Sequence, residues 1–182
     1  MKTRIIILLL VSTVILSCGS SKNEVTSNNI DEIRAIVNAR TFKFQANFAY
    51  PLQSNDVILA TNALMRGSQN MGGQINLSGN GDFLMLKGEL TEGNLSYFGE
   101  MRNVGYNDIA DNSIIFSGPF SDYKIEEKGK GDKTIVQFDA NNPVEQFRIR
   151  MVVFNNYKSN LIIYGSNRTA IRYTGVIVPL EE

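Results

Sequence analysis

From Thr41 to Tyr50 the chain alternates, with Phe42, Phe44, Ala46, Phe48 and Tyr50 on one side and Thr41, Lys43, Gln45 and Asn47 on the other. Successive residues of a pleated strand point to opposite faces, so this run predicts a strand with one face on a core and one in water. Pro51, which has no N–H to give a ladder, ends the strand or marks a sheet edge. The same alternation returns in Phe147, Ile149, Met151 and Val153 against Arg148 and Arg150, and in Ile171, Tyr173 and Ile177 against Arg168 and Arg172. Further strand-like runs cover 56–65, 74–77, 82–90, 113–117, 122–127, 133–139, 145–154, 159–164 and 168–178. Gly, Asn, Pro and Asp clusters separate them, among them Gly79-Asn80-Gly81 and Lys128-Gly129-Lys130-Gly131-Asp132. Connections this short cannot hold a crossover helix, so the strands are expected to pair as an antiparallel meander. The expected fold is all-β, a small barrel or a two-layer sandwich. One short helix should precede it, because Asn29 and Glu32 resemble a capping box and Ile30, Ile33, Ile36 and Val37 then follow at helical spacing.

The N-terminus has a different character. Lys2 and Arg4 precede an apolar run from Ile5 to Leu16 that stops at Ser17-Cys18-Gly19. A basic n-region, an apolar stretch too short to span a bilayer and a small residue before a cysteine read as a lipoprotein signal peptide. Cys18 is the only cysteine, so it has no intramolecular disulfide partner, and acylation accounts for it. The expected organisation is a signal peptide over 1–17, a small polar tether over 18–28 and a single β domain over 29–182. Membrane attachment would rest on the acyl chains of Cys18. Gly19 is not the aspartate associated with inner-membrane retention, and no acidic cluster follows the cysteine. The outer membrane, with the domain facing the periplasm, is the expected address.

The chemistry available to such a domain is limited. There is no histidine, and with Cys18 acylated no thiolate remains. Ser/His and Cys/His nucleophilic sites and His/Cys zinc sites are therefore excluded. No catalytic motif emerges from the carboxylates, and no cofactor or metal is expected. Asn107, Asp108, Asp111 and Asn112 form an acidic loop of ordinary turn residues without the order of an EF-hand. Basic and acidic side chains are equal in number, 18 of each, and no basic run occurs, which argues against nucleic acid. The candidate interaction residues are Tyr97 and Phe98, which either close a barrel end or present a sticky loop, and Arg168 and Arg172. With Arg148 and Arg150, these two arginines fall on the wet faces of two late strands, where they either form a stripe for an anionic group or are simply solvated.

Several strings together resemble a family of envelope lipoproteins, found chiefly in Bacteroidetes, whose domain has no known function. They are Phe42-Lys43-Phe44-Gln45-Ala46 with Tyr50-Pro51, Ile75-Asn76-Leu77-Ser78-Gly79-Asn80 with Phe83-Leu84, Leu95-Ser96-Tyr97-Phe98-Gly99, Phe116-Ser117-Gly118-Pro119 with Asp122-Tyr123, and Ser166-Asn167-Arg168 with Ile171-Arg172-Tyr173-Thr174-Gly175. In the third group the family usually has proline where this chain has Ser96. The resemblance implies an envelope location and a shared β fold, and nothing catalytic. The expected function is a non-enzymatic lipoprotein that binds a small apolar ligand or an envelope component. The alternatives are a structural or assembly protein docking another envelope protein and, less favoured, a carboxylate-dependent hydrolase.

Overall fold

The computed structural model describes residues 27–52, 63, 73–102, 113–129 and 132–180. The expected strand over 56–65, the acidic loop at 107–112 and Cys18 with its tether lie wholly or almost wholly outside these residues. Helix α1 (Ser27–Ala39) begins two residues before the expected cap and buries Ile33 and Val37. It ends where Arg40 adopts a φ of 57°, a left-handed turn that sends the chain directly into β1 (Thr41–Pro51).

The strands that follow are β2 (Ile75–Asn76), β3 (Phe83–Lys87), β4 (Leu90–Leu95), β5 (Ile114–Pro119), β6 (Ser121–Lys128), β7 (Lys133–Asn141), β8 (Gln146–Phe154), β9 (Lys158–Gly165) and β10 (Ile171–Pro179). They form one antiparallel sheet in the order β5-β4-β3-β1-β10-β9-β8-β7-β6, with β2 pairing beside β3 on the same edge of β1. The sheet curls into a half-barrel rather than splitting into two layers. Its two end strands are successive parts of one extended run. Only Phe120 separates β5, which pairs with β4, from β6, which pairs with β7. Gly118 (φ 146°) and Asp122 (φ 55°) provide the bend between the two halves.

The inward side chains make a single packed cluster. It includes Phe42, Phe44, Leu84, Leu86, Leu95, Phe116, Phe138, Phe147, Ile149, Met151, Leu161 and Tyr173, with Ile33 and Val37 of α1 closing one end. Aromatic contacts join the two ends of the sheet where no ladder does: Phe116 lies 5.3 Å from Phe147 and Phe120 5.3 Å from Phe138, centroid to centroid. Tyr123 donates to the carbonyl of Val37 at 2.8 Å, and Arg34 pairs with Glu127 at 3.0 Å, tying α1 to β6.

Three expectations change. The run over 82–90 is not one strand, because Gly88 (φ 65°) and Glu89 turn the chain back into β4, whose polar sequence gave no apolar alternation. The alternation of β1 breaks at a bulge: Ala46 pairs with Gly175 and Phe48 with Thr174, leaving Asn47 as an extra residue. From there Ala49 and Pro51 point inward, while Phe48 and Tyr50 turn to the outer face. The bulge needs Gly175, since a Cβ there would stand 1.9 Å from the Gln45 carbonyl oxygen. Finally, the outer face is not uniformly wet, for Ile135 on the outer side of β7 is 5 % exposed.

The register separates neighbouring residues by consequence. Phe44→Ala is expected to cost about 3 to 5 kcal/mol in urea melts, because it empties a fully buried site. Lys43→Ala and, because of the bulge, Phe48→Ala should each cost well under half as much. Equal losses at Phe44 and Phe48 would contradict the register past Ala46.

Candidate functional site

Opposite the helix, the end of the half-barrel is closed by a polar cluster built on residues that lead out of strands. After β4 the chain crosses as a strap, residues 96–102, against the β9–β10 loop: Met101 bridges Arg168, the Arg102 N–H donates to Asn167 O at 2.7 Å, and the Thr169 N–H donates to Glu100 O at 2.9 Å. Tyr97 turns inward from this strap and is buried. Its hydroxyl lies within 3.0 Å of Glu100 O, Thr169 O and the Thr169 hydroxyl. Burial raises its pKa, and the hydrogen bond from Thr169 and the charge of Arg168 oppose that only partly. Gly99 leaves the space the hydroxyl fills, because a Cβ there would come within 2.3 Å of it.

Beneath Tyr97 lies Arg168. It is not on a wet face but buried, paired with a Glu145 side chain that is 2 % exposed. Its Nε and Nη2 reach Glu145 Oε2 at 2.9 and 2.7 Å, and its Nη1 donates to Ser113 O at 3.3 Å. Glu145 Oε1 accepts the Asn167 N–H at 3.0 Å. The guanidinium lies 4.7 Å from the Tyr97 ring centroid and 5.7 Å from that of Phe147. Gly165 makes room for the pair, since a Cβ would stand 2.2 Å from Glu145 Oε1. The alternation from Arg168 to Arg172 misled because β10 starts only at Ile171, and Arg168 belongs to the preceding loop.

Asp82 completes this end. One of its carboxylate oxygens accepts the Ser96 N–H, a bond a proline at 96 could not make, while the Ser96 carbonyl accepts the Tyr173 hydroxyl at 2.9 Å. The other oxygen, Oδ2, is buried with no hydrogen-bond partner among the described residues. Burial holds the Tyr173 hydroxyl well above its usual pKa, and the negative charge of Asp82 adds to that. In the sequence Asp82 stands only as the first residue of the strand-like run over 82–90. Glu145, Thr169 and Gly165 gave no signal, because each matters through a partner distant in sequence, and the need for Gly99 shows only once Tyr97 turns inward beside Thr169. With Glu145 engaged by Arg168 and Asn167, this cluster holds the strap and the β9–β10 loop together.

The remaining candidates lie outside the core. Phe98, beside the buried Tyr97, is 37 % exposed. Arg172 is exposed on the outer face, its guanidinium 4.7 Å from the centroid of the Tyr50 ring. Arg148 spends its charge on Asp139, with Nε and Nη2 at 3.0 and 3.1 Å from the two carboxylate oxygens. The four arginines therefore do not form one stripe. Next to Tyr50 opens a recess of about 730 Å3 on the outer face, lined by Asn47, Phe48, Phe154, Asn156, Asn160 and Thr174 among others. Among the described residues no cluster of three or more acidic, His or Cys side chains is placed to hold a metal ion.

A half-barrel stoppered by a helix at one end and by a strap and buried ion pair at the other, with a recess on its outer face, defines an all-β fold whose described inward side chains pack into one core. The chain belongs to the family described as a domain of unknown function (DUF4251), whose model matches residues 24–177. It is similar to the crystal structure of a DUF4251 family protein from Bacteroides eggerthii, at 15 % identity over 84 % of this chain and 89 % of that one, with a TM-score of 0.58. At that identity the likeness speaks for the fold. A comparison with curated proteins gave no match.

Two outcomes follow from the buried polar groups. Glu145→Gln should cost about 3 to 5 kcal/mol in chemical unfolding, since it strands the Arg168 charge, and Arg168→Met/Glu145→Gln should recover part of that loss. The second concerns alkaline pH. An unfolded tyrosine loses its proton near pH 10, whereas Tyr173 keeps it longer in the folded state and Tyr123, through burial, is pushed up to about 12. Stability should therefore be full below about pH 10 and fall as pH rises through the folded-state values. Tyr173→Phe should show a shallower fall between about pH 10 and pH 12 in melts, whatever its stability at neutral pH. An unchanged slope would contradict the role given to Tyr173.

Proposed function

We propose that the protein is a non-enzymatic lipoprotein, anchored through acyl chains on Cys18 in the outer membrane and facing the periplasm, that binds an envelope component on the outside of its half-barrel. The observation that carries this reading is the contrast between inside and outside. Among the described residues the inward side chains pack against one another and against α1, which favours an envelope component over the small apolar ligand that an empty barrel would suit. The outer face instead carries a recess with rings and carboxamides at its surface. The lack of histidine and the engagement of Glu145 favour binding over catalysis. The signal-like N-terminus and the lone Cys18 support the anchor.

A second reading, docking of another envelope protein, is favoured by an exposed apolar corner beside β5. Val144 is 72 % and Ile115 48 % exposed there, next to Pro143. Only a modest patch results, which suits a transient partner better than a permanent one.

The anchor is tested by labelling cells with a palmitate analogue. The label should appear on the native chain and in the outer-membrane fraction, and vanish in Cys18→Ala; labelling of that variant would overturn it. The binding surface is tested in the same cells with a photoreactive side chain in place of Asn160. It should give a discrete adduct that the same group in place of Lys87, exposed on β3, does not.

A further inference from the structure

The ladder registers assemble a row that the sequence does not show. Reading across the strands from β1 to β6, Tyr50 stands beside Arg172, Arg172 beside Ile162, Ile162 beside Arg150, Arg150 beside Gln137 and Gln137 beside Lys124. All six are on the outer face. The three cations fall on alternate strands with a neutral residue between them, so their backbone positions repeat at about 10 Å, twice the spacing of neighbouring strands.

Among the described residues no ion pair neutralises these cations, while several of the acids near them are already engaged. Asp139 is taken by Arg148, Glu126 by Lys128 and Glu127 by Arg34. Among the described residues Arg150, Lys124 and Arg172 have no ion-pair partner, and Arg172 lies over the ring of Tyr50. The next row of the same face is Phe48, Thr174, Asn160, Val152 and Ile135. Its β1 to β9 part lines the recess. No hydrogen bond ties the Asn47 or Asn160 carboxamide to another described residue.

We infer that this outer face binds an acidic glycan in which charged and neutral sugars alternate, laid across the strands with its acidic groups on Arg172, Arg150 and Lys124 and its hydroxyls and ring faces in the Phe48–Thr174–Asn160 recess. The inference rests on the proposed binding role of the outer face and names its ligand. Carboxamides and a threonine hydroxyl donate to and accept from sugar hydroxyls, and aromatic rings cover their apolar faces. Fixed cations separated by neutral residues suit a polymer with spaced charges. Nucleic acid carries a phosphate about every 3.4 Å along each strand and would leave most of its charges unmatched. A bilayer is flat, and a row that follows a curling sheet across five strand intervals cannot meet a plane along its whole length.

The test uses the full acylated protein in neutral detergent micelles, titrated calorimetrically with a hyaluronan oligosaccharide, whose uronic acids alternate with neutral sugars. Saturable binding is expected at about 0.05 M salt, weakening steeply by about 0.5 M. Arg150→Gln/Arg172→Gln should weaken it at least about tenfold. Asn160→Ala should weaken it without changing its salt dependence, and Lys87→Gln should leave it intact. Thermal melts of each variant confirm folding, and all four substituted positions are at least partly exposed. Absence of binding, binding indifferent to the arginine pair, or binding of anionic phosphatidylglycerol vesicles in place of the glycan would overturn the inference. If the glycan fails while the group at Asn160 still gives its adduct in cells, only the ligand class falls; if both fail, the binding role falls with it.

Discussion

The run from Ile114 to Lys128 constrains everything else in this molecule. Its first half is hydrogen-bonded to one end of the sheet and its second half to the other, with one residue between them. A flat sheet cannot satisfy both sets of bonds, so the strands between must curl, and the curl decides which face becomes interior. Once that is settled, the alternating residues of β1 and of β7 to β10 have a common centre to pack against. The remaining openings are then two ends, each needing its own closure.

Those closures use different physics. At one end α1 offers an apolar stripe and is held by the Tyr123 hydroxyl on its Val37 carbonyl and by an ion pair to β6. At the other a charge is brought indoors, which is costly unless every donor and acceptor is met. Glu145 spends both oxygens, Arg168 reaches a carbonyl besides, and two rings lie near its guanidinium. Asp82 is the incomplete member, with one oxygen left over. Such a network fixes the strap in one position more than it adds to stability, and the strap in turn holds Phe98 at the surface beside the buried Tyr97.

How far the fold could be read in advance depended on whether the information was local. Period-two alternation and glycine-rich turns are local, and they located β1 and most strands from β5 to β10 together with the Gly79–Gly81 turn, whose two glycines both have positive φ. The bulge at Asn47 was illegible because its cause, Gly175, sits more than a hundred residues away. β4 escaped because its buried positions are Thr91, Gly93 and Leu95, of which only one is visibly apolar. The site followed the same rule. Tyr97 was recognised as a closing or presenting residue and closes the end. Arg168 was assigned by a period that does not extend past the start of β10. The alternation of Arg172, Arg150 and Lys124 exists only across ladders, and no reading along one strand could reveal it.

The exposed strand β6 has a further effect. Both of its faces are largely open, and its outward edge carries no ladder among the described residues. An unpaired edge is a template on which a second copy can grow. Here it carries Lys124, Glu126, Glu127 and Lys128 in close succession, and its start is twisted out of register at Asp122. A strand from another molecule would have to bury mixed charges and match an irregular ladder. Wherever copies of the chain meet often, that guards against amyloid-like stacking and lets the bend stay open to solvent without becoming a seed for aggregation.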